Sequence, residues 1–362
     1  MSRAPRRGRA LRVGLVYDRF GDAPPPPGAP PDWDAEYEPE ATVAALDGAL
    51  ARLGHTPVRI GNVPALLAAM ARGPLTEPPL ALDAAVNIAE SRGSRNREAH
   101  APILLELAGV PALGSDALAL SVSLDKALTR TVAAAAGVRV APGGVVRPGH
   151  RAADLAALGL AFPVFAKPRY EGTAKGIAPS SRCADADALA AEVARQHALY
   201  RQDVLVEAFV DGPEWTVGVV GTGPAARALP ALQRAVERET GIGLHALERH
   251  EDPARPFAYA TDGALSPALD AALARDALAA HRALECRDFS RSDFRVGADG
   301  APVFIEINPL PTFAPDGTFA ILAELDGVPY EAWLADVLAE GLERVRGSEV
   351  PGPELGGASA GL

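Results

Sequence analysis

Lysine is almost absent from this chain. Lys and Arg together number 35, and only Lys126, Lys167 and Lys175 are lysine, which leaves 32 arginines. Two of the three lie in one glycine-bearing stretch, FAKPRYEGTAKG (165–176). Lysine is a compact charge on a flexible stem, suited to reaching a phosphate, whereas arginine is a planar fork. Drift in an arginine-biased genome is the plainer account of the scarcity, and the surroundings have to decide between the two.

Other absences narrow the function. Cys183 and Cys286 are too few for a disulfide framework and lack metal-ligand spacing, so reduced thiols in a cytoplasmic protein are the simplest expectation. No stretch reaches the roughly 18 apolar residues of a membrane span. The run LRVGLVY (11–17), which overlaps the end of the cluster Arg3, Arg6, Arg7, Arg9 and Arg12, stops before Asp18. It is too short for a signal-peptide core, and the arginines read as a frayed tail into a first strand. Basic charge is also in deficit: a net charge of -11 with no long basic stripe argues against a nucleic-acid surface.

What is present is a soluble globular composition, 48% hydrophobic and 22% charged, over 362 residues, enough for two or three domains. Strands are expected at 12–17, 56–60 and 82–90, alternating with helices at 39–55 and near 64–72. That alternation implies a parallel sheet with helices on its faces. DAPPPPGAPPDW (22–33) interrupts it, and its prolines make it a loop after the first strand. Such loops commonly line ligand sites, and a disordered insert stays equally open. Helices follow at 97–109 and 125–137. A second unit shows a strand near 144–147, a helix at 152–158, strands at 162–167, 203–210 and 214–221, and a helix at 185–200. Residues 226–263 admit several strands and a mobile loop. A helix at 266–284, strands at 289–296 and 302–308 and a helix at 330–345 complete the chain, and 348–362 reads as a disordered tail.

The segment RSDFRVGADGAPVFIEIN (291–308) carries the sharpest geometry. Asp299-Gly300 between apolar-alternating runs signals a two-residue hairpin turn. Ala298 would then pair with Ala301, Asp293 with Glu306, and Arg291 with Asn308. Alternation puts those last four on one face and Phe294, Val296, Val303, Ile305 and Ile307 on the other. Two opposed carboxylates repel unless a cation lies between them. With an amide oxygen alongside they suit Mg²⁺, and a solvated Arg–Asp–Glu network is the competing reading.

Taken in order, NIAESRGSRNREAHAPILLELAGVPALGSDALALSVSLDK, FPVFAKPRYEGTAKG, DVLVEAFVDGPEWTV and SRSDFRVGADGAPVFIEINPLP resemble the ATP-grasp carboxylate–amine ligases, and within them the D-alanine–D-alanine ligases. The resemblance runs from about Asn87 to Tyr330. It implies an α/β and α+β chain: a Rossmann-like substrate domain at 1–115, a central ATP-grasp subdomain with the phosphate-covering loop at 116–211, and a C-terminal subdomain with the metal site at 212–347. It assigns Lys126 and Lys167 to the ATP phosphates, EGTAKG (171–176) to the covering loop, and Thr173 to a serine position. Glu207, Ala208, Phe209 and Val210 match the adenine-holding strand, and Glu214 the acid on the ribose. Asp293, Glu306 and Asn308 match Mg²⁺ ligands, and Arg291 the arginine at the reacting centre.

Departures from the family concern the acceptor. In NPLPTFAPDGTF, Thr312 replaces an oxyanion-hole glycine and Gly317-Thr318 the serine region, leaving Thr318 as the candidate stand-in. In LERH (247–250), Arg249 would take a phosphate-facing lysine's place and His250 a tyrosine's, with a solvated loop as the alternative. Glu36, Glu38 and Glu40 are all candidates for the glutamate that meets the first substrate's ammonium. Arg92, Arg95 and Arg97 face either an anionic substrate or, on the preferred reading, solvent at a helix start. Lys175 receives no role. The implied function is ATP- and Mg²⁺-dependent joining of a small carboxylate, an amino acid among the first choices, to an amine, with ADP released. The alternatives are an ATP-binding regulatory protein and a phosphotransferase. Oligomeric state does not follow from the sequence, and a homodimer stays open.

Overall fold

The structure, a computed structural model, describes residues 9–150, 152–243, 245, 259–260 and 263–347. Its first sheet is parallel. Strands β1 (Arg12–Tyr17), β2 (Thr56–Gly61), β3 (Ala84–Ile88) and β4 (Ala112–Leu113) lie in the order β2-β1-β3-β4. Apolar runs such as VGLV and AAV are what a strand covered on both faces requires. Helices α1 (Glu40–Arg52), α2 (Val63–Arg72) and α3 (His100–Leu107) connect them, with α2 capped by Asn62 Oδ1 on the Ala65 amide. The chain changes direction across the sheet between β1 and β3, so the carboxyl ends of those strands open toward a crevice.

Two short helices then meet at an aspartate. α4 (Ala117–Leu124) is capped by Asp116, and α5 (Lys126–Ala135) by Asp125, whose Oδ1 accepts from the Ala127 and Leu128 amides. Lys126 is therefore the first residue of α5. The second sheet is antiparallel: β5 (Gly143–Val146), β6 (Val164–Pro168), β7 (Arg182–Cys183) and β8 (Val204–Ala208) in the order β5-β8-β6-β7. Two helices accompany it, α6 (Ala152–Ala156) and α7 (Ala186–Tyr200), and α7 packs Leu189 and Val193 onto the sheet.

The third sheet carries β9 (Glu214–Val220), the short strands β10 (Arg227–Ala228) and β11 (Leu232–Arg234), and the hairpin strands described below. A two-stranded ribbon joins β12 (Val236–Glu237) to β13 (Tyr259–Ala260). Helix α8 (Pro267–Ala283), capped by Ser266, covers the sheet with Leu273, Ala277 and Ala280. Strands β14 (Phe289–Val296) and β15 (Pro302–Asn308) form the hairpin, and β14 also pairs with β9. Helices α9 (Thr318–Leu325) and α10 (Tyr330–Gly347) close the chain. α10 returns to the first sheet, where Leu334, Leu338 and Leu342 join Val13, Leu15 and Leu46 in one core. The tail 348–362, Arg249 and His250 lie outside the described residues.

The hairpin departs from the expected register in one instructive way. Asp293 does pair with Glu306 and Arg291 with Asn308, but Phe294 pairs with Phe304 and Val296 with Pro302. The turn is longer than two residues: Gly300 N donates to Gly297 O at 2.9 Å and Gly300 has φ +74, as in a three-residue loop ending in a left-handed glycine. A bulge at Ile305 then restores the register before the site is reached. Phe304 therefore occupies the core, its ring 5.8 Å from that of Phe294, while Ile305 turns to the cavity wall. Val303 is buried outside that core cluster, paired with Arg295.

Candidate active site

The cavity that holds most of the singled-out residues opens between the second and third sheets. Lys126, Lys167, Glu207, Ala208, Phe209, Val210, Glu214, Asp293 and Glu306 all line it. Its apolar part is lined by Phe165, Ile177, Phe209, Ile242 and Ile305, an apolar wall of the kind that flat ligands pack against. A smaller cavity lies on the other side of the hairpin end, lined by Glu36, Glu90, Glu98, Ser123, Thr173 and Asn308. The two share Lys126 and Glu306.

Charges in the larger cavity are paired in a definite way. Lys126 Nζ stands 3.0 Å from Glu306 Oε2 and donates to Glu171 O at 2.6 Å. Burial alone would push the Glu306 carboxyl up, but Lys126 and Lys167 outweigh it and hold it at about 2. Lys167 Nζ meets Glu207 Oε1 at 2.7 Å, and Arg130 Nη1 meets the other oxygen at 2.7 Å. Glu207, on the cavity wall, thus neutralises two cations. The Ala208 and Phe209 amides are engaged by Pro142 O and Pro163 O. Glu214 is held by the Arg295 guanidinium at 3.1 and 2.9 Å.

At the hairpin, Arg291 Nη2 donates to Asp293 Oδ2 at 3.2 Å. Asp293 Oδ1 and Arg291 Nε are buried and have no hydrogen-bond partner among the described residues. A buried carboxylate oxygen left in that state calls for a cation or a water. Asn308 Oδ1 accepts from the Leu310 amide at 2.8 Å, which occupies one of its two lone pairs. No group of three His, Cys, Asp or Glu side chains among the described residues is arranged for a metal. Two carboxylates and one amide nevertheless fit Mg²⁺, which takes its remaining ligands from water and phosphate oxygens.

The first-sheet side corrects the reading of Arg97 as solvated and separates the three candidate glutamates. Arg97 is buried and not solvated: its Nη2 lies 2.5 Å from Glu36 Oε1 and its Nη1 3.1 Å from Glu98 Oε1. Burial, with Arg97 opposing it, leaves Glu98 pushed up to about 7, and burial next to Glu98 and Glu36 raises Glu90 well above the usual range. Glu36 goes the other way: burial would raise it, yet Arg97 and Lys175 hold it below its ordinary value. Of the three glutamates considered for an ammonium, Glu40 is exposed on Arg19 and Arg59, whereas Glu36 and Glu38 are buried. Glu38 accepts from Thr42 at 2.7 Å and from Thr312 at 2.9 Å. Thr312 and Thr318, the first residue of α9, line neither cavity. The sequence names both Arg97 and Glu36 but not their pairing, because 61 residues separate them.

This arrangement, with a nucleotide-sized slot between an antiparallel sheet bearing a glycine loop and a second sheet bearing paired carboxylates, is the ATP-grasp architecture. Residues 136–339 match the family model described as D-ala D-ala ligase C-terminus. The D-alanine–D-alanine ligase of Cupriavidus taiwanensis is 32% identical over 240 residues, 65% of this chain and 69% of that protein. The uncharacterized protein y4sG of Sinorhizobium fredii is 29% identical over 349 residues, 93% of this chain and 96% of that one. The crystal structure of the VanG D-Ala:D-Ser ligase from Enterococcus faecalis superposes with a TM-score of 0.71 at 14% identity, covering 92% of this chain and 100% of that one. The chain belongs to the D-alanine–D-alanine ligase-like family of ATP-grasp proteins.

Proposed function

We propose that this chain joins a small carboxylate, an amino acid being the first choice, to an amine through an acyl phosphate, with release of ADP and phosphate. The observation that carries the reading is the shared wall: two cavities of different character meet at Lys126 and Glu306. One has an apolar slot for a base; the other is small and polar, of a size for an amino acid. A phosphoryl group transferred from one to the other passes the two lysines and the carboxylate pair.

A carboxylate is a poor electrophile. Its oxygen attacks the γ-phosphorus of ATP, ADP leaves, and the resulting acyl phosphate is attacked by an amine; phosphate departs with one of the carboxylate's oxygens. Catalysis of such a transfer is mostly positioning and charge neutralisation. Lys126 and Lys167 would draw the phosphates, exchanging their present carboxylate partners for phosphate oxygens. Asp293, Glu306 and Asn308 would hold Mg²⁺, which neutralises the phosphate charge when bound. Arg291, beside Asp293, would face the oxyanion that forms as the amine attacks. Glu171–Gly176, with Thr173 on the small cavity, would exclude water from the acyl phosphate.

Thr312, where the resemblance expects a glycine, is engaged by Glu38 outside both cavities, and we infer from that replacement an acceptor unlike that of ordinary D-alanyl-D-alanine synthesis. The test is ADP release with a panel of amino acids and amines, followed by mass spectrometry of the products. An amino-acid-dependent release of ADP matched by an amide product is expected. ADP without any amide across the panel would contradict the ligase reading in favour of a phosphotransferase or hydrolase.

A further inference from the structure

We propose that Asp32 and Glu36 are positioning residues that clamp the glycine-bearing loop 171–176 shut, and that Lys175 is the loop's own half of the clamp. The inference deepens the ligase reading and rests on it for the loop's purpose, though not for the clamp itself. The two carboxylates come from the stretch that follows the prolines of 24–31, and they take hold of the loop at both ends. Glu36 Oε1 accepts the Gly172 amide at 2.6 Å, and its Oε2 accepts Lys175 Nζ at 3.0 Å. Asp32 Oδ2 accepts the Gly176 amide at 2.9 Å. Behind each carboxylate is an anchor in the body of the protein: Arg97 lies 2.5 Å from Glu36, and the Tyr200 hydroxyl at the end of α7 donates to Asp32 at 2.6 Å.

Loop geometry makes such a clamp necessary. The Lys175 amide donates to Gly172 O at 2.9 Å, closing a tight turn whose two central residues, Thr173 and Ala174, have φ of +46 and +54. A left-handed conformation is unfavourable for residues with a Cβ, and worst for a β-branched one. Consecutive residues in that state persist only where the surroundings over-determine them. Here the surroundings are Glu36 and Lys175, whose side chains are 3% and 7% exposed. Between buried partners each hydrogen bond to a charged group is stronger than its neutral counterpart. The fit is close as well: a Cβ on Gly172 would stand 2.7 Å from Glu36 Oε1.

The clamp joins the first sheet's side of the site to the second's. When it is closed, Thr173 lines the small cavity and Glu171 O receives Lys126 Nζ at 2.6 Å. The loop's position, the small cavity's wall and a phosphate-directed lysine are thereby set by one buried ion network. The scarce lysine at 175 has a reason to be lysine: its single charge reaches both Glu36 and Glu171.

Hydrogen exchange of the full chain without nucleotide tests this. Lys175→Met and Asp32→Asn should each speed amide exchange across residues 169–178 by about tenfold or more, with β1 and α8 unchanged. Glu36→Gln should do the same, but it also loosens Arg97, so the first two variants carry the decision. Loop exchange within about twofold of the parent in both variants would overturn the clamp, and so would acceleration spread evenly over the protein. With substrates, the same variants should release more ADP than amide, because water reaches the acyl phosphate. A loosened loop in a chain that makes no amide at all would leave the clamp standing and remove the ligase reading. A working ligase with an unchanged loop would do the reverse.

Discussion

Lys126 and Glu306 face each other at 3.0 Å across the wall common to both cavities. Each group is kept charged by the other despite burial, the Glu306 carboxyl being held at about 2. On the proposed reading, Mg²⁺ and phosphate would take over that pairing, the metal facing Glu306 and the phosphate Lys126. Glu306→Gln should therefore raise the Mg²⁺ concentration needed for half-maximal ADP formation by about tenfold or more. Magnesium titration at saturating ATP reads this directly, and an unshifted midpoint would remove Glu306 from the metal site.

Lys167→Ala should lower kcat/KM by about a hundredfold or more, the scale of removing one charged donor from a developing phosphoryl group. Glu207 would keep Arg130 as its partner at 2.7 Å, so the fold should survive. Circular dichroism alongside the kinetics separates lost chemistry from lost structure. Near-normal turnover in a folded variant would exclude Lys167 from the mechanism.

The bulge at Ile305 makes two neighbouring apolar residues unequal. Phe304→Ala empties a position that is 1% exposed and should cost roughly 3–5 kcal/mol. Ile305→Ala trims the cavity wall and should cost about 1 kcal/mol or less, while weakening ATP binding. Denaturant melts of both variants with ATP titrations decide the matter. A larger stability loss at Ile305 than at Phe304 would restore the unbulged register.

The same hairpin shows what could be read from the chain. Period-two alternation and Asp299-Gly300 predict Asp293 opposite Glu306, and the pair forms, but only because the bulge at Ile305 offsets a turn one residue longer than expected. They did not reveal the bulge, since Phe304 and Ile305 are both apolar and either fits the inward face. Helix α4 was missed for a similar reason: ALALSVSL alternates like a strand, and only Asp116 as its cap marks the helix. The contacts of Glu36 and Asp32 were illegible, although Glu36 and Arg97 were already candidates. Their long-range partners lie 61 to 168 residues away, and the segment bearing Asp32 and Glu36 follows a proline run with no periodicity to read. Composition flagged Lys175, but only the folded contacts supply its role.

Buried carboxyls on the first-sheet side should make stability depend on pH in an unusual sense. Glu98 is pushed up to about 7 by burial, with Arg97, Glu36, Lys126 and the similarly raised Glu90 around it. A carboxyl whose folded value exceeds its unfolded one binds its proton more tightly when folded. Its stabilising effect is complete at low pH and is lost as pH rises from the ordinary carboxylate range through about 7. Glu98→Gln should flatten that part of a Tm-against-pH curve and raise Tm near pH 8. A parallel curve for parent and variant would contradict the assignment.

The acyl phosphate is the central claim, and isotope transfer reaches it most directly. With a donor amino acid carrying ¹⁸O in its carboxylate, each turnover should place one labelled oxygen in the released phosphate, since the amine expels phosphate together with the oxygen that attacked ATP. Amide formed with unlabelled phosphate, or phosphate released unlabelled with no amide, would contradict the account.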